Sequence, residues 1–322
     1  KSEVLEEGNE NISLESNKPE SSKQTDIKES KVIEKYNVDM FLEDAFIAKE
    51  TYDNLVQLLK RKKNIILQGA PGVGKTYIAK RLAYSIMEEK DEDKIGMVQF
   101  HQNYSYEDFI MGYRPSEDGT FKLVNGVFHN FCSKASKDVN KNYYFIIDEI
   151  NRGNLSKIFG ELLMLIESDK RGSEFEIPLT YKQEEKFSVP ENVYIIGMMN
   201  TADRSLAIMD YALRRRFSFI EIEPAFETYA FAKHLRNSKI HEVNINRVIK
   251  NMKELNKKIV NDSNLGKGFR IGHSYFCNPT TEENWYKNII DYEIKPLIEE
   301  YWFDDEEKIV QIKKMISDSN GN

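Results

Sequence analysis

The chain has 322 residues, 40% of them hydrophobic and 31% charged, with a mean hydropathy of −0.59. That suits one large core or two modest ones, and no apolar run nears the roughly 18 residues that a membrane span needs. A net charge of −7 argues against a globally basic nucleic-acid binder and leaves open a local basic patch or DNA contact by a domain outside this sequence.

Residues 1–38 are rich in Glu, Lys, Ser and Asn, with scattered apolar residues and no period. Such a segment buries too little to offset its ordering entropy and is expected to be a disordered acidic linker. The sequence opens at Lys1, as a piece of a longer protein would. From Met40 the texture changes. Leu55, Leu58 and Leu59 are spaced for a helix over 46–62, which closes on a basic cluster that favours a helix C-terminus. A short apolar strand, 64–68, runs into a glycine-rich turn, and 77–89 follows as a helix with Ile78, Leu82, Ala83 and Ile86 on one face. Further strands are expected at 97–100, 143–147, 193–197 and 217–222, with helices at 126–136 and 155–167 and a polar-tipped hairpin at 175–187. Strands apolar on both faces and alternating with helices predict an α/β fold, a parallel sheet covered on both sides, over 39–224. Beyond Pro224 the strand signal fades. Helical spacing at 226–238, 244–262 and 285–300 predicts a smaller helical domain over 225–322.

The turn Gly69-Ala-Pro-Gly-Val-Gly-Lys-Thr76 matches GxxxxGK[ST] between a predicted strand and a predicted helix. That context turns a string into a phosphate cradle. Gly69, Ala70, Pro71, Gly72, Val73 and Gly74 form the loop around a triphosphate, with the backbone N–H groups of all but Pro71 available to it, aided by the positive end of the next helix. Lys75 would neutralise phosphate charge, and the Thr76 hydroxyl would ligate Mg²⁺.

The most apolar strand ends in Asp148-Glu149. Acids at the carboxyl end of a buried parallel strand lie in the crevice where ligands bind. Asp148 would hold the Mg²⁺ water shell and Glu149 would polarise an attacking water, while a solvated loop or a helix cap is the plainer alternative. Asn200, just past another buried strand, would reach the same water or simply close a turn. Arg214-Arg-Arg216 reads as an arginine finger aimed at a neighbouring subunit's triphosphate, as a solvated basic face, or as a DNA patch. Cys132 and Cys277 are isolated and no CxxC or HExxH occurs, so zinc is not expected and a reducing, cytoplasmic setting is.

Together the P-loop, Asp148-Glu-Ile-Asn-Arg152, Met199-Asn-Thr-Ala-Asp-Arg-Ser205 and Ala212-Leu-Arg-Arg-Arg-Phe217 resemble McrB, the AAA+ motor family of modification-dependent restriction systems. Phe100-His-Gln-Asn-Tyr-Ser-Tyr-Glu-Asp-Phe109, Gly112-Tyr-Arg-Pro115 and Gly268-Phe-Arg-Ile-Gly-His-Ser-Tyr-Phe276 support the resemblance, which spans about residues 40–300. It implies an AAA+ P-loop domain with a helical lid. It makes Asp148 and Glu149 the Walker B pair, Asn200 the sensor asparagine, and Arg215 and Arg216 the finger and sensor arginines. It also implies a hexameric ring, GTP rather than ATP as substrate, an McrC-like endonuclease partner, and DNA contact through an upstream reader domain. Ala70 stands where the family often has proline. Guanine preference comes from the resemblance alone: no Asn-Lys-x-Asp reader is present, and the residues by themselves point to ATP. A MoxR-like AAA+ chaperone shares the P-loop, the acid pair and the hairpin and is the competing reading. A nucleotide-binding scaffold without turnover is disfavoured by Glu149.

Overall fold

The computed structural model describes residues 33–203 and 211–317. The expected linker lies outside the described residues as far as residue 32, as do Arg204 and Ser205. At the linker's end Tyr36 is buried and Val38 already opens the first helix, so ordered chain begins ahead of residue 39.

The strands are β1 (Asn64–Gly69), β2 (Ile95–Gln99), the hairpin β3 (Met111–Pro115) and β4 (Phe121–Asn125), and β5 (Tyr143–Asp148). A second hairpin, β6 (Ile177–Leu179) and β7 (Lys182–Phe187), precedes β8 (Val193–Asn200) and β9 (Ser218–Glu221). Around them run α1 (Val38–Ala45), α2 (Lys49–Lys62), α3 (Lys75–Met87), α4 (Tyr106–Phe109), α5 (Val127–Ala135), α6 (Leu155–Phe159), α7 (Leu162–Leu165) and α8 (Tyr211–Arg214). The rest is helical: α9 (Tyr229–Asn237), α10 (Glu242–Val260), α11 (Trp285–Ile289), α12 (Lys295–Tyr301) and α13 (Glu306–Ser317).

Five strands form one sheet in the order β2-β5-β8-β1-β9, and every pairing in it is parallel. Alternation along β5 shows why both faces are covered. Tyr143, Phe145 and Ile147 join a cluster with Phe109, Phe128 and Phe159, while Tyr144 and Ile146 join the opposite one with Leu55, Leu59 and Leu82. Each such side chain withdrawn from water contributes about 1.5–3 kcal/mol. A third cluster holds Phe46 and residues from Ala225 to Ile316, the helical domain's own core.

Local departures from the sequence reading have local causes. The helix expected at 155–167 is two short ones, because Gly160 takes φ 51° and lies against the Tyr106 ring. Phe46 ends α1 at φ 54° instead of starting a helix, held there by ring contacts to Phe231 and His273 of the helical domain. A π turn at Ile290–Ile294 interrupts the helix expected over 285–300. The β3–β4 hairpin and α13 stand outside the expected elements. The hairpin carries exposed Tyr113 and Phe121, so burial periodicity had little to report there.

Candidate nucleotide site

Sheet order assembles the site. β8 lies between β1 and β5, so the strand ending in Asn200 separates the strand that feeds the P-loop from the one that ends in Asp148. Gly69 and Asn200 are register partners. All three strand ends therefore open on one edge of the sheet, the edge where α/β folds bind ligands.

Gly72 and Gly74 take φ 75° and 76°, a region that side chains disfavour, which turns the loop into α3. No side chain caps that helix at Gly74, so its first N–H groups are left for an anion. The Ala70 and Val73 side chains are buried in the core and can meet a ligand only through their backbone. Thr76 is exposed at the helix start.

Lys75 is buried at the first helical position. Its ammonium donates to the carbonyls of Gly69 (3.0 Å) and Ala70 (2.9 Å) and to Asn200 Oδ1 (2.6 Å). Because an ammonium only donates, the Asn200 amide must present its oxygen to Lys75 and its nitrogen elsewhere. That nitrogen donates to Glu149 Oε1 at 2.5 Å. Lys75, Asn200 and Glu149 thus form one hydrogen-bonded chain. Burial lowers the Lys75 pKa to about 8, partly opposed by the carboxylates of Glu149, Asp148 and Asp203.

Glu149 sits at φ 49°, a strained conformation costing about 1–2 kcal/mol, which swings the chain out of β5. Asp148 Oδ1 accepts the Glu149 N–H at 3.0 Å. Glu149 Oε2 accepts from Arg152 Nε at 3.1 Å, and Arg152 in turn donates to Asp203 at 3.1 Å. In the sequence Arg152 stands out only within its motif, and its place three residues after Glu149 is the signal that it turns back on that carboxylate.

A strap from the helical domain lies across the same edge. Ser274 donates its N–H to the Gly72 carbonyl at 2.9 Å. A Cβ at Gly272 would lie 2.0 Å from the Gly72 carbonyl carbon, and one at Gly268 would lie 2.7 Å from the Thr201 oxygen. Arg270 pairs with Glu221 at 2.8 Å and with Glu223, while Asn256 clamps both backbone groups of Ile271. His273 is buried and accepts the Ala225 N–H through Nδ1, which places its own hydrogen on Nε2, facing Gly74. Burial pushes its pKa down to about 4, so the ring is neutral. Beside it, Phe46, Ile47, Ala48, Pro224 and Ala225 help line a cavity of about 170 Å³. Gly272→Ala is expected to lift the strap and lower stability by about 1–3 kcal/mol. Thermal unfolding reads the change, and an unaltered midpoint would mean that the strap yields freely.

Arg215 and Arg216 do not join this site. The Arg216 carbonyl accepts from Asn64, the first residue of β1, at the other end of the strand from Gly69. Five residue steps along β1 separate the two ends by about 16 Å. Both guanidinium groups pair with Glu167 instead.

The geometry is that of a P-loop site sharing its edge with a helical strap, and similarity to known proteins gives the family. Residues 64–217 match the family described as AAA domain (dynein-related subfamily), and residues 247–310 match the McrB alpha-helical lid domain. The chain is a McrB-type AAA domain with its lid. The helical domain is thus the McrB lid, and the strap enters it midway. The chain is 53% identical over 295 residues to the "Type IV methyl-directed restriction enzyme EcoKMcrB subunit" of Escherichia coli K12, covering 89% of this chain and 64% of that protein. It therefore spans a little under two thirds of that relative's length. It is also 28% identical to the "Type II restriction enzyme BsuMI component YdiS" of Bacillus subtilis 168, over 77% of this chain and 87% of that protein.

Proposed function

We propose that this McrB-type module is the nucleoside-triphosphatase motor of a restriction complex. It would hydrolyse GTP in a ring of identical copies to drive translocation and cleavage of DNA by an endonuclease partner. The observation that carries the reading is the split of parts: Lys75, Asn200 and Glu149 join at one edge of the sheet, while Arg215 and Arg216 sit at the other. Such a site is completed by a second copy. The relatives are named as restriction components, and the lid match favours this reading over a chaperone. No described helix is long and apolar enough to cross a membrane.

Phosphate oxygens would replace the Gly69 and Ala70 carbonyls as acceptors for Lys75, with the α3 N–H groups sharing the charge. Glu149 would accept the proton of the attacking water, and Asn200 would hold that carboxylate in line. Asp148 and Thr76 fit Mg²⁺: a carboxylate at the end of β5 and a hydroxyl in the first turn of α3 offer two hard oxygens, which phosphate and water would complete. When bound, Mg²⁺ would neutralise charge on the phosphates. The nucleobase would enter the cavity beside His273.

Steady-state hydrolysis of GTP against ATP, with and without a candidate endonuclease, tests the proposal. GTP turnover exceeding ATP turnover and rising with the partner is expected. Faster ATP turnover would overturn the guanine assignment, and no response to any nuclease would overturn the restriction role.

The lowered Lys75 pKa also sets a pH dependence. Phosphate favours the charged ammonium, so binding raises that pKa above about 8 and takes up a proton from more alkaline solution. Affinity is expected to hold steady below that pH and to fall by about tenfold per unit above it. Titration calorimetry in buffers of different ionisation enthalpy checks the proton uptake.

A further inference from the structure

Glu167, just past α7, accepts from both arginines through a single oxygen. Its Oε1 lies 3.2 Å from Arg215 Nη2 and 2.8 Å from Arg216 Nη2, while Lys170 pairs with Oε2 at 3.4 Å. Two adjacent guanidinium groups repel each other, and a shared carboxylate between them offsets that repulsion and fixes their spacing. The backbone of the same pair is held from the α2–β1 junction: Lys62 donates to the Arg215 carbonyl at 2.9 Å and Asn64 to that of Arg216 at 3.1 Å.

Beneath them a buried residue ties these supports together. Arg171 donates to the carbonyls of Ile166 (3.0 Å and 2.9 Å) and Val193 (2.8 Å) and to Asn64 Oδ1 (2.8 Å). Asn64 returns a bond to the Ile166 carbonyl at 2.7 Å. Ile166 precedes Glu167, so the carboxylate and the amide that grips Arg216 stand on one rigid hub. The two arginines differ in freedom. The Arg216 side chain is 8% exposed against 66% for Arg215, so Arg216 is held within the frame and Arg215 reaches out from it.

We propose that Glu167 is the positioning residue for the arginine pair, setting how Arg215 and Arg216 are presented to the triphosphate of a neighbouring copy. This rests on the intersubunit reading above. Glu167 touches no part of its own P-loop site, so its loss should leave nucleotide binding intact and slow turnover. A small misplacement of a catalytic group costs up to about 100-fold.

The test uses Glu167→Gln in the full chain. Expected are unchanged nucleotide affinity and thermal midpoint, and a kcat lowered by roughly 10- to 100-fold. Mixed with Glu149→Gln chains, Glu167→Gln chains should recover turnover beyond the sum of the two alone, because the Glu149→Gln copy presents well-placed arginines to an intact P-loop. A purely structural residue would not complement in this way. Wild-type turnover, a loss of affinity in step with kcat, or failure to complement would overturn the proposal. Arg216→Ala mixed with Glu149→Gln is the control. If that pair complements and Glu167→Gln does not, Glu167 loses its role. If neither does, the intersubunit reading falls with it. Should Glu167→Gln unfold, Glu167→Asp takes its place in the same mixtures.

Discussion

Lys75→Ala is expected to abolish nucleotide binding at ordinary concentrations. The ammonium is buried, with two P-loop carbonyls and Asn200 around it, and burial has already lowered its pKa to about 8. A desolvated cation meeting phosphate forms charge-assisted bonds worth about 1.5–3 kcal/mol each. Losing one or two of them weakens affinity by roughly 100-fold or more. Alanine also leaves the Asn200 oxygen without its partner, so the link from the P-loop to Glu149 breaks at the same stroke. Titration with a fluorescent GTP analogue reads the loss, and near-native affinity would sink the phosphate-cradle assignment. Unfolding should change little, because deleting the ammonium also removes the cost of burying it.

Glu149→Gln is expected to bind nucleotide normally and to hydrolyse it about 100- to 10,000-fold more slowly, the range for losing a positioned general base. The substitution is nearly isosteric. Its amide can still meet Arg152 or Asn200, so the turn at φ 49° has reason to persist. What disappears is the proton acceptor. A single-turnover measurement separates this outcome from slow product release. Wild-type chemistry in the variant would remove Glu149 as the water-activating residue and return attention to Asp148. Reduced affinity instead would mean that the carboxylate holds Asn200, and through it Lys75, in the binding geometry.

Much of the fold was legible because burial leaves a periodic trace. Tyr143 to Ile147 is apolar at every position, and it pairs on both sides within the sheet. The P-loop was legible for a different reason: its glycines answer a backbone need, and two of them do adopt φ near 75°. Elements with little burial contrast were not legible. The β3–β4 hairpin exposes its aromatic residues, and the break at Gly160 depends on where the Tyr106 ring lies.

The site divides along the same line. The P-loop, the acid pair, the asparagine and the arginines were each visible as residue types at strand ends, since local order along the chain sets which side chains leave a strand and where. Their company was not. That Asn200 stands between Lys75 and Glu149 follows from β8 lying between β1 and β5, a matter of pairing among strands far apart in the chain. That Arg215 and Arg216 face away from their own P-loop follows from the Asn64 and Glu167 contacts at the far end of β1. The strap of Gly272 and Ser274 reaches Gly72 only because the lid folds back over the sheet. Hydrogen bonds and close packing depend on distance in space, so residue types at strand ends could be read from the chain while their partners came from strand order and the return of the lid.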